Sequence, residues 1–115
     1  MEIPAIDCAA LRSKLEDGEE LLLVDALPPM SYAHSHLPGA INLPPERVDS
    51  STTRKFDKDV EVVVYCAGAD CESSVETAHK LVALGFTHVV HYPGGKSEWR
   101  ESDLPLERAG APYRP

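Results

Sequence analysis

Two cysteines five positions apart, Cys66 and Cys71, occupy a short loop that runs into a pair of serines, Ser73 and Ser74. A β-branched run, VEVVVY, stops at Tyr65, and Cys66 follows at once. An amphipathic helical pattern starts at the serines. A cysteine placed between a strand end and a helix start faces backbone N–H groups that have no partner within the helix. That setting lowers a thiol pKa and makes the thiolate available near neutral pH. The chemistry it suits is nucleophilic attack, or holding a sulfur atom, within a cradle formed by the backbone of Ala67, Gly68, Ala69, Asp70, Cys71, Glu72, Ser73 and Ser74.

The elements around this loop follow from periodicity and punctuation. Val60–Tyr65 reads as the central strand. Val75, Ala78, Leu81 and Val82 mark one face of a helix, with Ser73 or Ser74 as N-cap and Gly85 ending it. Leu21–Asp25 (LLLVD) is a continuous apolar run suited to a parallel strand covered on both faces, and Asp25 closes it. Thr87–Tyr92 is a further β-branched strand, Ala40–Leu43 a short one, and Ile3–Ile6 an edge strand. Asp7 caps a helix over residues 8–17 whose Cys8, Leu11 and Leu15 share a face. Lys96–Glu101 forms a short helix with Trp99 directed to the core and Lys96 solvated. Strands alternating with helices imply an α/β fold: a mostly parallel sheet of about five strands with helices on both faces. Ligands gather beyond the carboxyl ends of such strands, where both Asp25 and Cys66 lie.

Composition narrows the function. The 115 residues fit a single domain spanning 1–115, and 43% hydrophobic content suits a packed core. The formal charge of −8, with scattered basic residues, argues against nucleic-acid binding. No apolar run is long enough to span a membrane and no signal peptide is visible, so the expected location is cytoplasmic. Three cysteines there suit reactive or buried roles rather than a disulfide framework.

Four segments, in order, resemble the single-domain rhodanese-like sulfurtransferases: LLLVDALPPMSYAHSHLPGAINLP, VVVYCAGADCESS, SVETAHKLVALGF and YPGGKSEWRESDLPLE. The likeness covers nearly the whole chain. It implies that Cys66 is the persulfide-forming nucleophile, taking sulfane sulfur from a small donor and passing it to a thiol or protein acceptor. It also implies that the loop amides cradle the sulfur, and that Asp25 and His36 brace the site. Asp25 reads equally well as a strand-end cap. No cofactor or metal is implied, because the sulfur rides covalently on the protein. Cys71, across Gly68 from Cys66, has two readings. It is a resolving thiol that attacks a persulfide, releasing sulfide and leaving a disulfide, or a small hydrophobe packed under the loop.

The loop departs from the family pattern. Ala67 stands where an Arg is usual, no Lys or Arg lies between Cys66 and Ser74, and Asp70 and Glu72 lie there instead. The loop is two residues longer than the common version when Ser74 is taken as the matching helix serine. Ala26-Leu27 stands where Val-Arg commonly follows the aspartate. A carboxylate about 6 Å from thiosulfate costs on the order of 1 kcal/mol per charge. A helix terminus returns about 0.3–1 kcal/mol. The expected donor is therefore a persulfide in preference to thiosulfate.

Rival readings fare less well. A phosphatase of the Cys-x5-Arg kind needs an Arg where Glu72 stands. His88 and His91 point to opposite faces of a strand, and His34 and His36 lack a cysteine pair, so metal binding is disfavoured. The alternative from another class is a non-catalytic binding or redox-sensing module that uses a Cys66/Cys71 thiol–disulfide switch.

Overall fold

The computed structural model describes residues 3–68 and 71–108. Helix α1 (Cys8–Glu16) is followed by β1 (Leu21–Asp25), α2 (Pro29–His34), β2 (Ile41–Asn42) and a 3-10 turn over Pro45–Arg47. Then come β3 (Glu61–Tyr65), α3 (Ser73–Ala83), β4 (His88–Tyr92) and α4 (Gly95–Glu101). The sheet has four strands in the order β2-β1-β3-β4, all parallel.

The fifth expected strand, Ile3–Ile6, reduces to a single bridge between Ala5 and His91. The His91 N–H donates to the Pro4 carbonyl and the Ile6 N–H donates to the His91 carbonyl, both at 2.9 Å. Pro4 has no N–H to extend the ladder.

Period-two alternation buries both faces of the sheet. Val24, Val62 and Val64 face α3, meeting its Ala78 and Leu81 together with Phe86 and Val89. Leu23, Val63 and Tyr65 face the other way, onto Leu11 of α1 and Trp99 of α4. Val62, Val63 and Val64 are each fully buried, worth about 1.5–3 kcal/mol apiece. Asp7 caps α1 through its carboxylate, which accepts from the Ala10 N–H at 2.8 Å. Gly85 takes φ 103° just beyond α3, a conformation that suits glycine.

In the strand register Asp25 pairs with Asn42 on one side and Tyr65 on the other, and Tyr65 pairs with Tyr92. The four strands therefore finish in one row, and Cys66 is the first residue beyond it. No helix among the described residues is long and apolar enough to cross a membrane.

Candidate active site

Cys66 leaves the central strand and its loop rests directly on the start of α4. The Lys96 N–H donates to the Cys66 carbonyl at 3.0 Å, and the Ser97 N–H to the Ala67 carbonyl at 2.8 Å. Gly95 sits beneath this contact at φ 60°, and a Cβ there would lie 2.9 Å from the Ala67 carbonyl carbon and the Gly68 nitrogen. The glycine is thus required twice, by its dihedral and by the closeness of the loop. Gly68 faces Ser97 on the opposite side of the contact.

Cys66 and Cys71 are joined by a disulfide, with Cα atoms 6.3 Å apart. Ser74 Oγ is 3.6 Å from Cys66 Sγ, and since a bridged sulfur carries no proton the hydroxyl is the donor. The expectation of an ionised, reachable thiolate is corrected for this state: Cys66 is 2% exposed, with Cys71 folded over it. Nucleophilic chemistry here begins only after the bridge is reduced. Cys71 packs against the core and is bonded to Cys66.

The cradle also differs in detail. The Cys71 N–H is spent on the Gly68 carbonyl at 3.1 Å. The N-cap of α3 is Glu72, not Ser73 or Ser74, and it makes no side-chain cap bond. Ser74 is inside the first turn, buried, and turned to the sulfur instead. Among the described residues the amides of Ala67 and Gly68 in the loop have no acceptor, nor do those of Ser73 and Ser74, which open α3 and have none within the helix. Glu72 is exposed, so its charge is screened. Ala69 and Asp70 lie outside the described residues.

Asp25 closes β1 and ties it to the end of β3. It is fully buried; Oδ1 accepts from the Leu27 N–H and Oδ2 from the Tyr65 hydroxyl, each at 2.8 Å. The Tyr65 hydroxyl in turn accepts from the Leu37 N–H at 2.9 Å. Burial pushes the Asp25 carboxyl above its ordinary pKa, while the Leu27 N–H, the Tyr65 hydroxyl and the charges of Lys96 and His36 pull it back. Burial and the neighbouring carboxylate push the Tyr65 phenol well up, so it stays a proton donor. His36 acts further out. Its ring stacks on Tyr32 with centroids 3.9 Å apart, and Nδ1 lies 2.8 Å from the Tyr32 carbonyl. Its backbone exchanges two hydrogen bonds with Glu107, at 2.9 and 2.8 Å. It thereby fixes the segment that delivers Leu37 to Tyr65.

Lys96, expected in solvent, is 8% exposed. Its ammonium donates to the carbonyls of Ser35 at 2.8 Å and Ser31 at 3.2 Å, tying α4 to the end of α2. Burial pulls its pKa down, opposed by the Asp25 carboxylate. Between these two helices lies a cavity of about 470 Å³, walled by Met30, His34, Ser35, Ala67, Lys96 and Arg100. Of these only Ala67 belongs to the residues expected at the site. The missed signal was the spacing of Lys96 and Arg100, four apart on one helix and hence on one side of it. Tyr32 and Tyr92 do not line the cavity: the Tyr32 hydroxyl donates to the Ala40 carbonyl at 2.6 Å, and Tyr92 is buried. Among the described residues no three of His, Cys, Asp and Glu gather as metal ligands would.

The family model described as Rhodanese-like domain matches residues 7–102. A protein named sulfurtransferase from Allochromatium vinosum is 32% identical over 102 residues, covering 88% of this chain and 92% of its own length. The HTH-type transcriptional regulator Rv0324 of Mycobacterium tuberculosis is 37% identical over 109 residues; the match covers 94% of this chain but 46% of the regulator. The crystal structure of BH2092 from Bacillus halodurans superposes with a TM-score of 0.87 at 26% identity, covering 97% of this chain and 85% of that one.

Proposed function

The chain belongs to the rhodanese-like domain family, and from that footing we propose that it is a sulfurtransferase carrying sulfane sulfur on Cys66. The observation that carries the reading is the position of Cys66. It lies at the carboxyl end of the central parallel strand, on a loop held from below by α4, with the Ser74 hydroxyl 3.6 Å from its sulfur. The identity to a relative named sulfurtransferase supports sulfur transfer at the level of the family.

The reaction starts from the reduced loop. The Cys66 thiolate attacks the outer sulfur of a donor persulfide, R–S–SH. A bond forms between Cys66 Sγ and that sulfur, the donor S–S bond breaks, and R–S⁻ departs with the electron pair. An acceptor nucleophile, a small thiol or a protein thiol, then attacks the outer sulfur of Cys66–S–SH and returns Cys66 as thiolate. The amides of Ala67, Gly68, Ser73 and Ser74 and the Ser74 hydroxyl stabilise the negative sulfur as oriented dipoles. Asp25 and His36 take no part in the bond changes; they hold the strand ends that carry the loop. No metal or cofactor enters these steps, because each is a direct displacement at sulfur and the transferred atom rides covalently on Cys66 between them.

The absence of Lys or Arg between Cys66 and Ser74 supports a persulfide over thiosulfate as donor. The test compares the two donors on pre-reduced protein, with a thiol as acceptor. Turnover with the persulfide and little with thiosulfate is expected; rapid turnover at low thiosulfate overturns the preference.

A second reading is favoured by the Cys66–Cys71 bond itself: a redox-sensing module whose loop changes shape as the bond opens and closes. The two readings share one step. Cys71–SH attacks the inner sulfur of Cys66–S–SH, giving the Cys66–Cys71 disulfide and H₂S, and a dithiol reductant then reopens the bond. They part on Cys71→Ser. A transferase keeps turning over with this variant and no longer needs pre-reduction, whereas a sensor lacking catalysis shows no transfer in either protein.

A further inference from the structure

We propose that the groove between α2 and α4 is a carboxylate-binding subsite, read by Arg100, that selects sulfur donors carrying carboxylates. The transfer role rests on the reading of Cys66 given above; the groove's ligand chemistry stands on its own residues.

The charge is the first argument. The chain has 19 acidic against 11 basic residues, yet the groove lining includes Lys96, Arg100 and His34 and no carboxylate. Lys96 is already committed, its ammonium bound to the Ser31 and Ser35 carbonyls and, at 3.4 Å, to Ser35 Oγ. It sets the wall and contributes charge from behind. Arg100 is different. It is exposed, it lends one nitrogen, Nη2, to Ser35 Oγ at 3.3 Å, and among the described residues it has no ion-pair partner. A guanidinium has five N–H donors in a planar fork that matches a carboxylate two bonds at a time. Ser35 Oγ accepts from both cations, which sets the guanidinium beside Lys96 in the groove wall.

Size and placement are the second argument. About 470 Å³ falls within the range of roughly 300–1,000 Å³ common for small-molecule sites. That space exceeds what one tetrahedral oxyanion fills. Met30, 86% exposed, stands at the rim and offers apolar contact to a carbon chain. Ala67, the neighbour of Cys66 in sequence, forms part of the same wall. A donor with its carboxylate on Arg100 and its carbon chain along Met30 lies beside Ala67, at the edge of the cysteine loop. The family's usual loop arginine is absent here, and Arg100 supplies a cation from a different element.

The test measures binding and transfer separately. Calorimetry on the oxidised wild-type chain uses 2-(methylthio)succinate, a thioether dicarboxylate that exchanges with no disulfide, and its dimethyl ester. The dicarboxylate binds, the ester binds far less, Arg100→Gln weakens the dicarboxylate about fivefold or more, and Arg100→Lys recovers part of the loss. On reduced protein, Arg100→Gln raises KM for mercaptosuccinate persulfide by the same factor with kcat unchanged, and leaves the esterified persulfide unaffected. Equal binding of diacid and ester, or identical affinities in wild type and Arg100→Gln, overturns the subsite. Arg100-dependent binding without any sulfur transfer upholds the groove and removes the transferase reading instead.

Discussion

Replacing Tyr65 by Phe removes one oxygen atom from the buried network behind Cys66 and tests whether that network braces the site. The hydroxyl donates to Asp25 Oδ2 at 2.8 Å and accepts from the Leu37 N–H at 2.9 Å. A hydrogen bond to a charged group contributes about 1.5–3 kcal/mol, and a buried N–H left unpaired costs about 1–3 kcal/mol. The expected loss is about 3 kcal/mol or more at neutral pH, a fall in Tm of about 12 °C at roughly 4 °C per kcal/mol. The cost also depends on pH. Burial raises the folded-state pKa of Asp25 above its unfolded value. A group shifted that way contributes stability that is fully present below the unfolded pKa and is lost as pH rises through the folded one. Without the Tyr65 hydroxyl the folded pKa rises further, so the charged carboxylate is penalised more in the variant than in wild type. Urea unfolding of both proteins at pH 4.5 and pH 7.5 reads this directly. The stability gap between them is expected to widen at the higher pH. A gap that is the same at both, or smaller at pH 7.5, refutes the assignment of Asp25 as the charged partner of Tyr65.

Gly95→Ala places a methyl group against the Ala67 carbonyl carbon and the Gly68 nitrogen at a positive φ. It is expected to destabilise the fold by about 2 kcal/mol or more and to cut sulfur transfer, which thermal melts and turnover report together. Reducing the Cys66–Cys71 bond, which links residues five apart, is expected to lower unfolding stability by about 2 kcal/mol from loop-closure entropy. Melts with and without a dithiol reductant measure it, and the reductant should leave Cys71→Ser unshifted.

Much of this architecture is legible in local patterns. The apolar runs at 21–25 and 61–65 become neighbouring parallel strands in full register, because a stretch with no polar face has to be covered on both sides. Asp7 and Gly85 mark helix ends through chemistry confined to a few residues. Local patterns mislead where the partner is distant. Lys96 reads as a surface lysine, and its burial depends on Ser31 and Ser35, 65 and 61 residues earlier. Ser73 and Ser74 read as caps because a cap is the commonest use of serine before a helix. Ser74 instead turns to Cys66, a contact that exists only once the strand and the loop are in place. The spacing of Cys66 and Cys71 makes their pairing feasible without selecting it over burial of either one. The cationic groove belongs to α2 and α4 jointly, and neither short helix announces it alone.

Sulfur transfer through this site requires sulfur to become covalently attached to Cys66. Reduced protein, treated with a small-molecule persulfide, alkylated and digested, shows by peptide mass where the added sulfur resides. One extra sulfur on the Cys66 peptide is expected, retained in Cys71→Ser and absent in Cys66→Ser. Sulfur found on Cys71 or Cys8 instead, or on no cysteine at all, contradicts it.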